Sequence, residues 1–418
     1  MIRNFYVENF KSIKKRIDVS LVASPLTEDT FYENVFNFKE EEILKVSSFY
    51  GTNATGKSAL VIALAALKEL VVVNMNPIYG VENKYQLPYF PFLFSKETRD
   101  KPTEFGIEFS LDNEDTSYIY KYCIKYNQKY VLSEKLYKGT SQKFSLVYNR
   151  TTEDGVTSID FGHAFNNPLL NAIKPSLMDN RSFLSIFANF NVPDLTDAYK
   201  FFAERMLNVT PEISRYSDYI PRKILKDEGL KEFTLRLLKA ADFNIKNLKV
   251  DKSKRRTLFT LGQPIVSNEN AALFLEHDGE VEDGALEFID ESLGTKKMIV
   301  LAEILYPVFT KASVLIVDEL ESSLHPEITK FIIELFLDDT INTKNSQLLF
   351  TSHESSLLNL NLLRRDQINF VYKDKDSCGT YIRSLKDFGI RKTENVAKSY
   401  LAGRYLTSPN PDGDALRK

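Results

Sequence analysis

Gly51-Thr52-Asn53-Ala54-Thr55-Gly56-Lys57-Ser58 meets the pattern G-x-x-x-x-G-K-[ST] at every specified position. It narrows the possible folds sharply, because the pattern works only where a strand hands over to a helix. Residues 46–50 (Val-Ser-Ser-Phe-Tyr) read as a short buried strand, and residues 58–67 open an apolar helix. Such a junction turns successive backbone N–H groups and the positive end of a helix dipole toward an anion. Glycine lets the main chain close around phosphate oxygens that a side chain would hold off. Residues 51–58 are therefore expected to cradle a triphosphate, with Lys57 on the β- and γ-phosphates and the Ser58 hydroxyl on Mg²⁺. The competing reading is a chance glycine-rich turn.

Val314-Leu315-Ile316-Val317 has the look of a central parallel strand and runs into Asp318-Glu319. Carboxylates at the C-terminal edge of such a strand stand where ligands bind in open α/β sheets. Asp318 is expected in the Mg²⁺ shell, and Glu319 is expected to orient or deprotonate the attacking water. A second apolar strand, residues 347–351, ends at Ser352-His353, 35 residues beyond Asp318. That interval holds one crossover helix, expected over 327–337, and sets His353 at the edge of a neighbouring strand within reach of a γ-phosphate. Read singly, an Asp-Glu pair also suits a solvated turn, and a lone histidine also suits a structural role.

Lys57 with Asp318, Glu319 and His353 resembles the ATP-binding cassette (ABC) type of P-loop ATPase, as in SMC and RecF-type proteins. Glu291-Ser292-Leu293-Gly294-Thr295, before a helix expected over 296–306, resembles a shortened form of that family's signature motif. Glu321-Ser322-Ser323-Leu324-His325-Pro326 resembles the loop that crosses its dimer interface. The resemblance implies an α/β head with an antiparallel β-subdomain and a helical insert. It also implies bound ATP and Mg²⁺, and a head-to-tail homodimer or higher homo-oligomer. In that pairing Ser292 and Gly294 of one copy meet the γ-phosphate held by the other. Without the resemblance, Ser292 reads equally as an ordinary helix N-cap. The opening Asn9-Phe10-Lys11-Ser12 turn, between two strands within residues 2–21, resembles the turn that lies near the adenine. By that likeness Asn9 and Lys11 join the nucleotide-binding residues. The family's glutamine loop has no secure counterpart; Gln86 falls instead in a Pro-Phe-rich stretch.

At 418 residues the chain is long for one ordinary domain, and its 43% apolar content suits a sizeable core. Cys123 and Cys378 are too few for a disulfide framework and fit a reducing cytosol. Residues 1–15 lack the apolar core of a secretory signal, and the apolar run 59–73 is too short for a bilayer. The expectation is a cytoplasmic protein without a membrane segment. A net charge of −3 gives no global reason to expect nucleic acid.

Three regions are expected: an N-terminal ATPase lobe over 1–160, a helical insert over 161–245 and a C-terminal ATPase lobe over 246–418. Within the first, 103–111, 117–126, 129–136 and 144–148 alternate polar and apolar residues as an antiparallel meander does. Helical spacing fills 165–241 and is clearest at 197–206. Lys249, Lys252, Lys254, Arg255 and Arg256 form the one basic cluster. It reads either as a phosphate-contacting patch or, the favoured reading, as the solvated turn of a hairpin between strands 247–250 and 257–261. Residues 410–418 are expected to be a disordered tail.

Arg364-Arg365-Asp366-Gln367-Ile368-Asn369-Phe370-Val371 and the closing Tyr400-Leu401-Ala402-Gly403-Arg404-Tyr405, with Ser323-Leu324-His325-Pro326, resemble prokaryotic abortive-infection and anti-phage ATPases. That group includes the ATPase subunits of the PARIS and Septu types. The likeness implies an ATPase that senses a phage-derived trigger and regulates a separate effector, usually a nuclease. Only 65 residues follow His353, too few for a fused TOPRIM nuclease, so the effector is expected to act in trans. A RecF-like DNA-maintenance ATPase, which would bind nucleic acid directly, and a non-hydrolysing ATP-bound scaffold remain the alternatives.

Overall fold

A computed structural model describes residues 1–25, 31–72, 87–111, 118–140, 143–165, 168–174, 177–188, 190, 192–209, 219–251, 257–260, 263–266, 271–277, 284–391 and 393–405. Gln86, Lys252, Lys254, Arg255, Arg256 and the 410–418 tail lie outside them. The chain forms two compact units. One gathers Met1–Asn208, Ala312–Leu320 and Phe336–Lys418; the other gathers Val209–Lys311 and Glu321–Leu335. These divisions differ from the expected 1–160, 161–245 and 246–418. Residues 161–208 fall in the first unit because Phe183, Leu184, Phe187, Leu195, Phe201 and Phe202 complete its core.

The first unit holds two sheets. Six strands make the mixed one, in the order Met206–Val209, Val314–Val317, Gln347–Ser352, Val46–Tyr50, Ile368–Lys373 and Thr380–Ser384. Val46–Tyr50 runs parallel to both its neighbours, as Val314–Val317 does to Gln347–Ser352; the edge strand Thr380–Ser384 is antiparallel to its neighbour. The central strands are buried along their whole length, which is why they lack a regular alternation of polar and apolar residues. The second sheet is an antiparallel meander of seven strands, in the order Val156–Phe161, Phe144–Glu153, Val131–Gly139, Tyr118–Tyr126, Thr103–Leu111, Ile2–Glu8 and Ile17–Ser20. Alternating polarity marks four of these, residues 2–21 read as two more, and Val156–Phe161 is the strand not expected.

Helix Lys57–Val72 is enclosed on nearly every side, and one continuous apolar cluster takes in residues from it and from both sheets. At its far end Lys68 donates to the Met206 carbonyl at 2.6 Å, and burial pushes its pKa down. The expected amphipathic helix at 197–206 forms only in part. Helix Pro193–Lys200 widens into a π-turn at Phe201–Arg205 and then extends as a strand. Phe201 stacks on Phe109 with ring centroids 4.1 Å apart, and Phe202 meets Tyr122 edge-on. The wider turn lets two consecutive phenylalanines face the same sheet. Fully buried Glu134 and Arg150 pin residues 178–184 to that sheet, Glu134 accepting from Tyr122, Tyr148, Ser182 and the Phe183 amide.

The second unit packs helices Tyr219–Lys226, Glu228–Ala240 and Leu293–Lys311 with small antiparallel sheets. The expected 247–250/257–261 hairpin does not form. Ile245–Asp251 pairs with Ala272–His277, and Thr257–Thr260 pairs with Gln263–Val266. Ile245–Asp251 thus passes over the strand next in sequence, which pairs instead with its own following neighbour. No helix among the described residues is long and apolar enough to cross a membrane.

Candidate nucleotide site

Parallel register brings the site together. Val317 lies opposite Phe350, Phe350 opposite Ser48, and Ser352 opposite Tyr50. The next residues on the three strands are Asp318, His353 and Gly51, so all three emerge at one carboxyl edge of one sheet. This is the edge at which open α/β sheets bind ligands.

The loop is shaped for close approach. Gly56 has φ +104°, and a Cβ there would lie 2.1 Å from Thr380 Oγ1 and 2.6 Å from Ser12 Oγ. At Gly51 a Cβ would lie 2.3 Å from the Val371 carbonyl. Both positions therefore exclude side chains. Thr55 is buried and folds onto the Thr52 carbonyl through its hydroxyl at 2.8 Å. Ala54 takes a left-handed φ of +65°, which turns the chain around the cradle. The amides of Asn53, Ala54, Gly56 and Ser58 have no acceptor among the described residues. Lys57 starts the helix, is buried, and donates to the carbonyls of Gly51 at 2.6 Å and Thr52 at 3.1 Å. An enclosed ring of donors around an ammonium group fits a polyphosphate. Thr52 and Ser58 are half-buried beside it, with Asn53 and Ala54 exposed.

Asp318 accepts from the Thr351 hydroxyl at 2.5 Å, and that hydroxyl accepts from the Glu319 amide at 2.8 Å. Glu319 takes φ +50°, a conformation that costs a non-glycine residue about 1–3 kcal/mol and is retained where the surroundings enforce it. Thr351 thus sets both acids, a role that nothing in the strand's apolar pattern shows. His353 is exposed just past the strand end. Ser58 and Asp318 together offer one hydroxyl and one carboxylate, a hard-oxygen pair that suits Mg²⁺ alongside phosphate oxygens.

The N-terminal turn reaches the loop through Thr380, whose hydroxyl donates to the Thr55 carbonyl and bonds Ser12 Oγ, both at 2.8 Å. Ser12 and Thr380, residues that sequence reasoning passed over, are the turn's link to the loop. Asn9, expected among the nucleotide-binding residues, is 2% exposed. Its Nδ2 donates to the carbonyls of Thr98 and Lys101, and its Oδ1 accepts from the Phe92 amide. Asn9 holds the segment 92–102 in place, and its side-chain donors are spent there. The Lys11 amide donates to Phe90, and its ammonium lies 5.0 Å from the Phe90 ring centroid.

Ser292 and Gly294 belong to the second unit. Ser292 Oγ accepts from the Thr295 amide at 3.1 Å, so Ser292 caps helix Leu293–Lys311. That helix begins three residues before its expected start. A Cβ on Gly294 would meet nothing closer than the Ser323 carbonyl at 3.6 Å. Lys297 Nζ donates to the Ser322 carbonyl, joining this turn to the 321–326 loop.

The profile of the family described as "AAA domain, putative AbiEii toxin, Type IV TA system" matches residues 46–359, a span that contains the phosphate loop, both acids and His353. No curated protein matches the chain. Solved structures similar to it include the SMC head domain from Thermotoga maritima, at 12% identity and TM-score 0.41, covering 92% of this chain and 98% of that one. The Smc head domain with an extended coiled coil bound to the C-terminal domain of ScpA, from Pyrococcus furiosus, is 11% identical with TM-score 0.38, covering 93% and 97%. The recombination mediator protein RecF with ATP analogue is 13% identical with TM-score 0.33, covering 92% and 98%. Likenesses this distant carry no weight for ligand or partner.

Proposed function

The chain belongs to that AAA-domain family, and from this premise we propose that it is an ABC-type head that binds and hydrolyses ATP with Mg²⁺ and controls a separate effector. One observation carries the reading: a side-chain-excluding phosphate loop, a threonine-set acid pair and an exposed histidine share one carboxyl edge of adjacent parallel strands.

Residues 51–58 bind the triphosphate through main-chain amides, and Lys57 exchanges its loop carbonyls for β- and γ-phosphate oxygens. Ser58 and Asp318 would hold Mg²⁺, which would supply positive charge beside the phosphates. Glu319 orients and deprotonates the attacking water, and His353 stabilises charge developing on the γ-phosphate. Ser292 and Gly294 of a second copy complete the site, so that nucleotide state sets association of heads. The family's connection with toxin–antitoxin systems supports a role in abortive-infection defence of the PARIS or Septu kind. In that role a phage-derived trigger shifts the equilibrium and a trans-acting nuclease or toxin is released or activated.

Phosphate release and ATP-dependent association of the purified chain test this together. Lys57→Ala should abolish both. Glu319→Gln should cut turnover by roughly 10²–10³-fold, the scale of losing one aligned catalytic group, while keeping ATP bound and the copies paired. Normal turnover in Glu319→Gln would remove the assigned role.

A further inference from the structure

One hairpin backs both glycines of the phosphate loop. Strand Ile368–Lys373 lies beside Val46–Tyr50 and pairs antiparallel with Thr380–Ser384, setting Lys373 opposite Thr380. The Val371 carbonyl of the first strand bars a side chain from Gly51, and the Thr380 hydroxyl of the second bars one from Gly56. The turn between the strands is tied down. Asp374 Oδ1 accepts from the Ser377 amide at 2.7 Å and its hydroxyl at 2.6 Å, and the Asp374 amide donates to the Gly379 carbonyl. Thr380 is 1% exposed, and its amide donates to the Ser12 carbonyl at 2.8 Å.

The loop's own carbonyls are held from two sources. Lys57 donates to those of Gly51 and Thr52, bonds that it gives up when its ammonium turns to phosphate. The Thr55 hydroxyl on the Thr52 carbonyl and the Thr380 hydroxyl on the Thr55 carbonyl, both at 2.8 Å, take no part in that exchange. The second of these has a directional consequence. A trans peptide is planar, so its C=O and N–H point in opposite directions. Holding the Thr55 carbonyl toward Thr380 therefore aims the Gly56 N–H away from the hairpin, and that amide has no backbone acceptor among the described residues. Glycine keeps such a setting poorly by itself, because its backbone turns freely. The crowding that requires glycine at position 56 thus also makes an outside hold necessary.

This inference rests on the reading that residues 51–58 bind ATP. We infer that Thr380 is a positioning residue for the nucleotide. Its hydroxyl, steadied 2.8 Å from Ser12 Oγ, fixes the peptide between Thr55 and Gly56 so that the Gly56 amide faces the phosphates. Without that hydroxyl a buried carbonyl is left unpaired, the peptide turns toward another donor, and binding ATP has to turn it back. The amide meets the phosphates both before and during bond cleavage, so its misplacement raises KM and leaves kcat alone.

The test compares variants of the full chain in equilibrium binding of ATP with Mg²⁺ and in steady-state phosphate release. Thr380→Val keeps the shape and removes the hydroxyl. It should weaken ATP binding about 10-fold and raise KM alike, with kcat within about 2-fold of the parent. Thr380→Ser should restore binding to within about 2-fold of the parent. Ser12→Ala should weaken binding about 3-fold, and adding it to Thr380→Val should cost nothing more, because Ser12 acts through the same hydroxyl. A hairpin that only stabilised the fold would lower the melting temperature without this pattern. Unchanged ATP affinity in Thr380→Val, a fall in kcat at unchanged KM, a serine variant as weak as the valine one, or losses that multiply in the double variant would each overturn the inference. The phosphate-loop reading would then stand on the parent's binding. Should Thr380→Val fail to fold, Ser12→Ala decides, and parental affinity there overturns the inference. No ATP binding by the parent overturns the phosphate-loop reading, and this inference with it.

Discussion

Two glycine-bearing turns lead into helices in this molecule, and they are built on opposite principles. At residues 51–58 the glycines are enforced: a Cβ would lie 2.3 Å from a carbonyl at Gly51 and 2.1 Å from Thr380 Oγ1 at Gly56. The amides of Asn53, Ala54 and Gly56 there have no backbone acceptor among the described residues. At residues 292–294 the helix end is already satisfied by Ser292, and Gly294 has ordinary space for a methyl group. The first turn leaves no room for a side chain at either glycine. The second is a capped helix whose glycine has no local reason to be glycine.

The contrast can be broken at four residues, from strong to weak. Gly56→Ala should forfeit nucleotide affinity by on the order of 10- to 100-fold, since a strained, clashing backbone position costs about 1–3 kcal/mol. Titration calorimetry with ATP and Mg²⁺ reads this, and unaltered affinity would mean the loop is not the cradle. Thr351→Val removes the hydroxyl between Asp318 and the Glu319 amide. Turnover should fall about 10-fold, from the loss of a hydrogen bond to a charged group, with ATP affinity nearly unchanged in equilibrium binding.

Ser292→Ala should cost about 1 kcal/mol of stability through the lost cap, seen in urea unfolding. Ser292→Asp separates cap from ligand. Aspartate caps as well as serine, so stability should hold, whereas ATP-dependent association should drop because a carboxylate repels the partner's γ-phosphate. Retained association would leave Ser292 a cap alone. Gly294→Ala should be neutral or stabilise by up to ~1 kcal/mol, as expected for replacing a helical glycine, while weakening association. A lower melting temperature for Gly294→Ala would show that the turn is crowded from within after all.

The fold was largely legible in advance where strands are buried on both faces. Residues 46–50 and 314–317 form strands with the expected ends, because short segments rich in Val, Ile, Phe and Tyr between turn-forming or charged residues have few other solutions. Strand Val156–Phe161 was not legible: it alternates weakly at the edge of its sheet, where little is buried. The partner of Ile245–Asp251 was hidden too: it pairs with Ala272–His277, beyond the Thr257–Thr260 and Gln263–Val266 pair, and its own pattern does not say which strand lies beside it. In the site, the phosphate loop announced itself because its chemistry is contiguous. Asn9 misled, since a buried asparagine that holds a loop and one that contacts a base look alike in one dimension.

By itself, the order of residues determined that a glycine-rich loop joins a buried strand to a helix, and that acids end a second buried strand. These are local statements, settled by backbone freedom, hydrophobic runs and helix polarity within about ten residues. Tertiary structure alone decided that Thr351 governs both acids, that Thr380 joins Ser12 to the loop, and that Ser292 spends its hydroxyl on its own helix. The Ser12–Thr380 bond spans 368 positions and the Thr351–Asp318 bond 33. Such bonds exist only once strand register is set, and register depends on the whole core rather than on any neighbouring residue.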